Sequence, residues 1–522
     1  MSTALSSTES GTTSRRLGRG ERARRAVTDV GPLLRFRSSG VRDRARSAVK
    51  LGLGFILTVT LLVAWLPGYL PAGDERRSDV LLLLPTGYIG VLVIAIVSAV
   101  ASGGGRELLP REQAVAFPVS PTTDHLGALL MAPLNIAWLM QAWTLIGATA
   151  YVVEAKWQLV LAQLPVLLWL AAATALAQVV AWAIEWLRRG PRGIPAVRLL
   201  VVLVGAATAT LVMTGNLVPL LDRSPTIRIT FGVLYGADGQ VWPWFQVVAA
   251  LVAITVAAVA VGAWLAGAVV RRPARDELRE EASSRQPRPH PASDLAALVR
   301  TDRVGIWRSV PLRRGLTVLA LLPGLVALAG GLEWSMLSIL PGLVASGGAL
   351  LFGVNSWCLD GRGALWRDSL PVAPKMAFLS RVIVLVEVLL FATGLTLLLG
   401  TLRAGVPTSA QLAGVLCCAL VVTVQVVATS LRWSVKRPFA VDLRSARATP
   451  APPVVMVGYS ARLALTTTLT GMLFGAATFA SWQWSVLLAL PFLLFSSAKL
   501  VGTAAEWADP STRSMVVATV AR

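Results

Sequence analysis

The chain is built around apolar runs too long for the core of a water-soluble protein. Twelve stand out, near residues 50–70, 79–102, 125–152, 158–185, 197–221, 243–270, 314–331, 335–357, 377–401, 410–431, 454–480 and 485–503. A run of about 20 apolar residues is long enough to cross the hydrocarbon layer as a helix. Inside lipid there is no water to bond the backbone, so each segment must satisfy its own amides. The runs lack the period-2 alternation of barrel strands, which leaves helices. The expectation is an all-α integral membrane protein with about 12 transmembrane helices. Its 14% of charged residues, against 55% hydrophobic, could not cover a soluble body of this length.

The runs fall into two sets of six, and short phrases recur between them in the same order. Phe117-Pro118-Val119-Ser120-Pro121 returns as Leu370-Pro371-Val372-Ala373-Pro374, each between the second and third span of its set. Gln178-Val179-Val180-Ala181 returns as Gln425-Val426-Val427-Ala428, and Trp242-Pro243-Trp244 as Trp482-Gln483-Trp484. Six spans return the chain to the side on which it started. The duplication therefore predicts two parallel six-helix repeats related by a pseudo-two-fold along the membrane normal. The expected organisation is a basic tail and amphipathic elbow at 1–48, a first six-helix unit at 49–270, a linker and second elbow at 271–312, a second unit at 313–504 and a tail at 505–522.

Charge sets the orientation. With both termini and the even-numbered connections in the cytoplasm, roughly 42 of the 48 Lys and Arg fall inside, the bias expected of a multi-pass protein. The net charge of +21 is then topology and not a nucleic-acid footprint, because the basic residues flank apolar spans. Residues 15–48 carry eleven arginines, from Arg15 to Arg46, around a few apolar positions, and read either as an amphipathic interfacial helix or as a retention cluster without fixed structure. Leu33-Leu34-Arg35 is matched by Leu298-Val299-Arg300 ahead of the seventh span, so each half begins with such an elbow. Arg-rich, Lys-poor usage points to a GC-rich bacterial genome and a bacterial cytoplasmic membrane.

Several chemistries find no support. Cys358, Cys417 and Cys418 form no disulfide or metal pattern, and His125 and His290 have no ligand cluster around them. No phosphate-cradling G-x-x-x-x-G-K-[ST] and no G-x-S-x-G occurs, so the chain reads as a non-enzyme without a cofactor of its own.

Two charged loops do not look like simple connectors: RELLPREQAVAFPVSPTTD from Arg106 and DGRGALWRDSLPVAPK from Asp360. Each mixes acids, bases and apolar residues before a Pro-x-x-Pro that stops a short helix and sets the direction of the next span. One reading is that the prolines only terminate helices. The other is that a short helix with apolar side chains, projecting in both halves, docks a partner. In this arrangement the chain resembles permease subunits of ABC-2 type ABC exporters, which have six spans, an elbow before the first, and a coupling helix in this loop. The resemblance implies that Glu107, Glu112, Phe117, Pro118 and Pro121, and in the second half Trp366, Asp368, Leu370, Pro371 and Pro374, contact a separate nucleotide-binding ATPase, two copies of it, which would hold the ATP and Mg. It further implies ATP-driven export, and the few charges on the spans point to a small amphipathic compound; the chain departs from the family, whose members commonly have one six-span unit and dimerise, in supplying both halves itself.

One acid falls within a span. Glu387, near the middle of the ninth, aligns with Asn135 in the first half, and together they are candidates for a translocation path. The structural alternative is a carboxyl bonded to Gln425, Asn355 or nearby backbone. Two rival functions stay open. A 12-helix proton-coupled secondary carrier shares the parallel-repeat architecture, although Gly-x-x-x-Asp-Arg-x-Gly-Arg-Arg is missing after the second span. A non-transporting membrane scaffold fits the composition equally well.

Overall fold

A computed structural model of the chain describes residues 28–33, 43–71, 73–101, 119–134, 136–154, 156–272, 291–351, 353–361, 363–440 and 453–521. Among these residues there are helices and turns and no strand. The first half comprises α1 (Asp43–Trp65), α2 (Asp74–Ala101), α3 (Pro121–Met131), α4 (Ile136–Val153), α5 (Leu159–Arg188), α6 (Gly193–Met213), α7 (Leu217–Asp222), α8 (Ile227–Ala237) and α9 (Val241–Val270). The second comprises α10 (Asp294–Arg308), α11 (Val310–Gly330), α12 (Leu340–Leu351), α13 (Gly363–Asp368), α14 (Pro374–Thr401), α15 (Ser409–Lys436), α16 (Pro453–Ala477), α17 (Trp482–Ala508) and α18 (Pro510–Val520). Nine helical segments among the described residues are long and apolar enough to cross a bilayer, which makes this an all-α, multi-pass membrane protein.

Each half has its own apolar core. One joins Leu84, Tyr88, Leu145, Val166, Trp169 and Val233; the other joins Leu316, Val344, Leu385, Val422, Phe474 and Val516. In the first half α1 packs on α4, α2 on α4 and α5, α5 on α4, α6 and α9, and α3 on α9. Each of these pairings recurs in the second half: α11 on α14, α12 on α14 and α15, α15 on α14, α16 and α17, and α14 on α17. Between the halves, α2 meets α11 and α4 meets α16.

Small residues bring these helices close. A Cβ added at Gly324 of α11 would lie 2.6 Å from the Thr396 carbonyl oxygen of α14. One added at Gly342 of α12 would lie 3.0 Å from that of Thr467 on α16. In lipid, where apolar surface gains little from meeting more apolar surface, this close approach carries much of the helix association.

Several segments differ from the expected spans. The third does not run unbroken over 125–152: α3 ends at Met131, a 3-10 turn covers Ala132–Leu134, and α4 resumes at Ile136. Pro133 explains the break, since it lacks an amide hydrogen and its ring clashes with the preceding turn. The eighth span is also segmented, into Trp334–Leu337, α12 and a 3-10 stretch at Gly353–Leu359, where Asn355 is non-helical. Beyond α6 the chain turns back into the protein, with α8 packing on α2, α5 and α9. Gly236 lies against the Leu161–Ala162 backbone, and Thr226 donates to the Pro85 carbonyl at 3.0 Å, three turns into α2. α6 itself packs on α5 and α7 and is otherwise exposed and apolar, with Leu199 to Val204 all uncovered.

Candidate functional site at the second charged loop

The stretch DGRGALWRDSLPVAPK forms a braced helix-turn between α12 and α14. Gly361 takes a left-handed φ of 48°, a conformation that suits glycine, and the chain then winds into α13. α13 stops at Asp368, Val372 donates its amide to the Leu370 carbonyl at 2.7 Å, and Pro374 opens α14 as its first residue. Proline there loses no hydrogen bond, because the first amides of a helix have no partner within it. Pro121 opens α3 in the same way, with the Ser120 hydroxyl accepting from the Thr123 amide at 3.0 Å.

Arg367, in the last turn of α13, points back into the protein. Its guanidinium donates to both Asp302 oxygens of α10, at 2.5 and 3.0 Å, to Asp360 at 3.0 Å and to Ser380 at 3.0 Å. Arg381 of α14 completes the ring, 2.7 Å from Asp360 and 3.2 Å from Asp302. Ser380 donates to Asp302 at 2.8 Å. Two acids and two bases from four pieces of chain thus form a charge-neutral cluster; Asp302 is 3% exposed and Arg381 is fully buried. Burial pushes the Asp302 carboxyl up, but Arg381, Arg367 and Ser380 outweigh it and hold the group below its ordinary value. For Arg367 burial acts downward, and Asp302 and Asp360 raise it above the usual guanidinium value.

The C-terminal segment closes over this loop. Asp509 caps α18, accepting from the Thr512 amide at 2.9 Å, and Arg513 donates to Asp368 at 2.8 Å. Trp507, just before the cap, stacks on Trp357 with centroids 3.8 Å apart and planes 2° from parallel. The Arg381 guanidinium lies 5.3 Å from the Trp357 ring. Between loop and cap is a cavity of about 290 Å³, lined by Leu370, Pro371 and Pro374 on one side and Val516, Val517 and Val520 on the other. The tail expected at 505–522 is therefore a docked helix.

Of the sequence-derived candidates, Leu370, Pro371 and Pro374 line this cavity, and Asp368 holds the cap through Arg513. Trp366 faces outward, 64% exposed, beside the exposed Leu365. Pro121 lies at the start of α3. Glu107, Glu112, Phe117, Pro118 and Asn135 lie outside the described residues. Glu387 is bonded neither to Gln425 nor to Asn355. Arg303 of α10 grips it bidentately, Nε to Oε2 at 2.8 Å and Nη2 to Oε1 at 2.5 Å, with both side chains part-exposed. The elbow reaches it because α10 runs along the first turns of α14, placing Asp302 at Ser380 and Arg303 at Glu387. Asn355 donates instead to the Phe439 carbonyl at 2.7 Å, and Gln425 accepts from Thr470 at 3.4 Å.

No motif in the sequence marked Asp302 and Arg381, and within the charged loop nothing set Asp360 and Arg367 apart from its other charges. The available signal was a lone acid on the apolar side of the Leu298-Val299-Arg300 elbow and an arginine inside the first turns of a span.

The fold and this cluster define a class, a multi-pass helical membrane protein with a braced helical loop at one face. Comparison with family models, with curated proteins and with solved structures finds no match to this chain.

Proposed function

We propose that the chain is the permease of an ATP-driven exporter, with two six-helix units in one polypeptide and twelve spans in all. The loop carrying α13, and both chain ends, face the cytoplasm. The observation that carries the reading is the two-sided character of α13. One side is bolted through Arg367 to the elbow and to α14, and the other offers Leu365 and Trp366 to solvent. A force applied to Trp366 would reach α10 and α14 together, because Asp302, Ser380 and Arg381 form one cluster with Arg367. This is what a coupling lever needs: rigid attachment behind, apolar surface in front. The recurring pairwise packing of the halves supports a like-oriented duplication, and the Pro-x-x-Pro loop of the first half would be the second lever.

A separate ATPase pair would bind ATP and Mg and press on both loops, and the substrate would be a small amphipathic compound taken between the halves. Copurification from mild detergent tests this. A nucleotide-binding subunit should accompany the wild-type chain and be lost from the Leu365→Asp/Trp366→Asp variant, whose substituted side chains are solvent-exposed and leave the fold intact. Failure of any ATPase to associate, with or without nucleotide, would overturn the reading.

A further inference from the structure

The helices α15, α16 and α17 pack against one another, and a group of cations gathers at one end of the bundle they form. Lys499 of α17 is half-buried, with its Nζ donating to the Thr429 hydroxyl of α15 at 3.0 Å. Arg432 lies three residues beyond Thr429, on the same face of α15. Arg462 of α16 is the third member: one turn before it, the Tyr459 hydroxyl shares a hydrogen bond with that of Ser430, next to Thr429 on α15, at 2.7 Å, and both arginines are close enough to bear on the Lys499 charge. Arg432 and Arg462 are exposed, and among the described residues none of the three has a carboxylate within ion-pairing distance. Glu506, further along α17, is instead 3.7 Å from Lys436.

Three like charges on converging helices repel one another, so an uncompensated group of this kind calls for an anion. Position says which anion. Arg432 precedes the end of α15 by four residues, Lys499 the end of α17 by nine, and Arg462 follows the start of α16 by nine. At 1.5 Å per residue the charges sit about 6 to 14 Å inside the helix ends. That is too deep for a soluble partner, and it matches the level of headgroup phosphates beside helices that project past them. The neighbouring surface is apolar and uncovered, with Leu465 on α16 and Phe495 and Val501 on α17 exposed. Hydroxyl groups lie beside the cations: Thr466 sits one turn from Arg462, and Thr429 lies between Lys499 and Arg432.

We propose that this group of cations binds the phosphate of an anionic glycerophospholipid, with the acyl chains lying along α16 and α17. A headgroup phosphate can accept from both guanidiniums and from the lysine, and the apolar flank suits its tails. This site is separate from the α13 loop and does not depend on its role.

Native mass spectrometry of the detergent-purified chain, titrated with phosphatidylglycerol or phosphatidylcholine, tests the assignment. Phosphatidylglycerol should be retained in preference to phosphatidylcholine, and Arg432→Gln/Arg462→Gln should weaken its binding about thirtyfold. Lys436→Gln, at the same end of α15 but paired with Glu506, controls for nonspecific charge and should leave binding unchanged. Both arginines are exposed, so the double variant is expected to fold, and an unchanged thermal melt will verify it. Inorganic phosphate at millimolar concentration should not stabilise the protein against heat. Stabilisation by phosphate alone that disappears in the double variant would overturn the lipid assignment in favour of a soluble anion. Equal retention of the two lipids, or equal loss in Lys436→Gln, would overturn the site altogether.

Discussion

Replacing Asp302 by asparagine keeps the shape of the buried cluster and removes one of its two negative charges. Two guanidiniums, Arg367 at 2.5 Å and Arg381 at 3.2 Å, would then share Asp360 alone. Breaking a buried ion pair from one side costs about 3–5 kcal/mol, because the partner is left charged in a poor solvent. The asparagine oxygen still accepts a bond and Asp360 still serves both arginines, so the lower end of that range, about 3 kcal/mol, is expected. Reversible unfolding in SDS, followed by tryptophan fluorescence, measures it. Asp302→Leu/Arg367→Met, which removes one charge of each sign, should recover most of the loss. Acidity gives a second readout. The folded carboxyl titrates below its ordinary value of about 3.9. Its contribution is therefore complete above that pH and is lost as the pH falls below 4 through the folded value. Wild-type stability should fall there, and Asp302→Asn should show a shallower decline. A loss under about 1 kcal/mol for Asp302→Asn, or a double variant no better than the single, would refute the claim that the cluster ties α10, α13 and α14 together.

Two further perturbations probe the frame around that cluster. Gly324→Ala should destabilise by about 1–3 kcal/mol in the same SDS titration, since its Cβ would meet the Thr396 carbonyl oxygen and Leu399 Cβ at 2.6 and 2.8 Å, and backbone cannot step aside as a flexible side chain can. Trp507→Ala removes one face of the Trp357 stack, with about 3–5 kcal/mol expected for a buried tryptophan; the visible result should be release of α18, read by intact mass as rapid tryptic cleavage after Arg513.

The membrane class was legible in the sequence because lipid allows so few solutions. Long apolar runs without alternation can only be helices, and the helices α2, α5, α9, α14, α15 and α17 fall where those runs lie. Breaks inside spans were less legible. Pro133 interrupts a helix, whereas Pro85, Pro165, Pro323 and Pro491 are absorbed within α2, α5, α11 and α17, so neighbours, and not the residue alone, decide the outcome. The candidate loop was found through its prolines, but its supports were not. Asp302 lies 65 residues before Arg367 and 79 before Arg381, and each alone reads as one more charge on a basic chain. Only folding brings them within 3.2 Å. Glu387 shows the same limit: its partner Arg303 lies 84 residues earlier, on an elbow whose tilt no local pattern reveals.

The C-terminal helix bears on how alike the two halves of the chain can be. After the last span the sequence supplies Pro510-Ser511-Thr512-Arg513 and then Val516, Val517 and Val520, which are the residues that close the cavity over the second loop. After the sixth span the corresponding stretch, Arg271 to His290, is rich in Arg, Glu, Pro and Ser and carries no such valine face. Such a valine-bearing segment is therefore written after the second set of spans and not after the first, although the Pro-x-x-Pro loop recurs in both. If two like motor subunits press on the two loops, they meet unlike supports. One loop is clamped between elbow and cap through Arg367 and Arg513, while the other has no cap of this kind written into the sequence that follows its unit. Fusion of two units into one polypeptide would permit that difference, because each loop can then diverge separately. In a dimer of identical six-span chains, every change in one loop is a change in both.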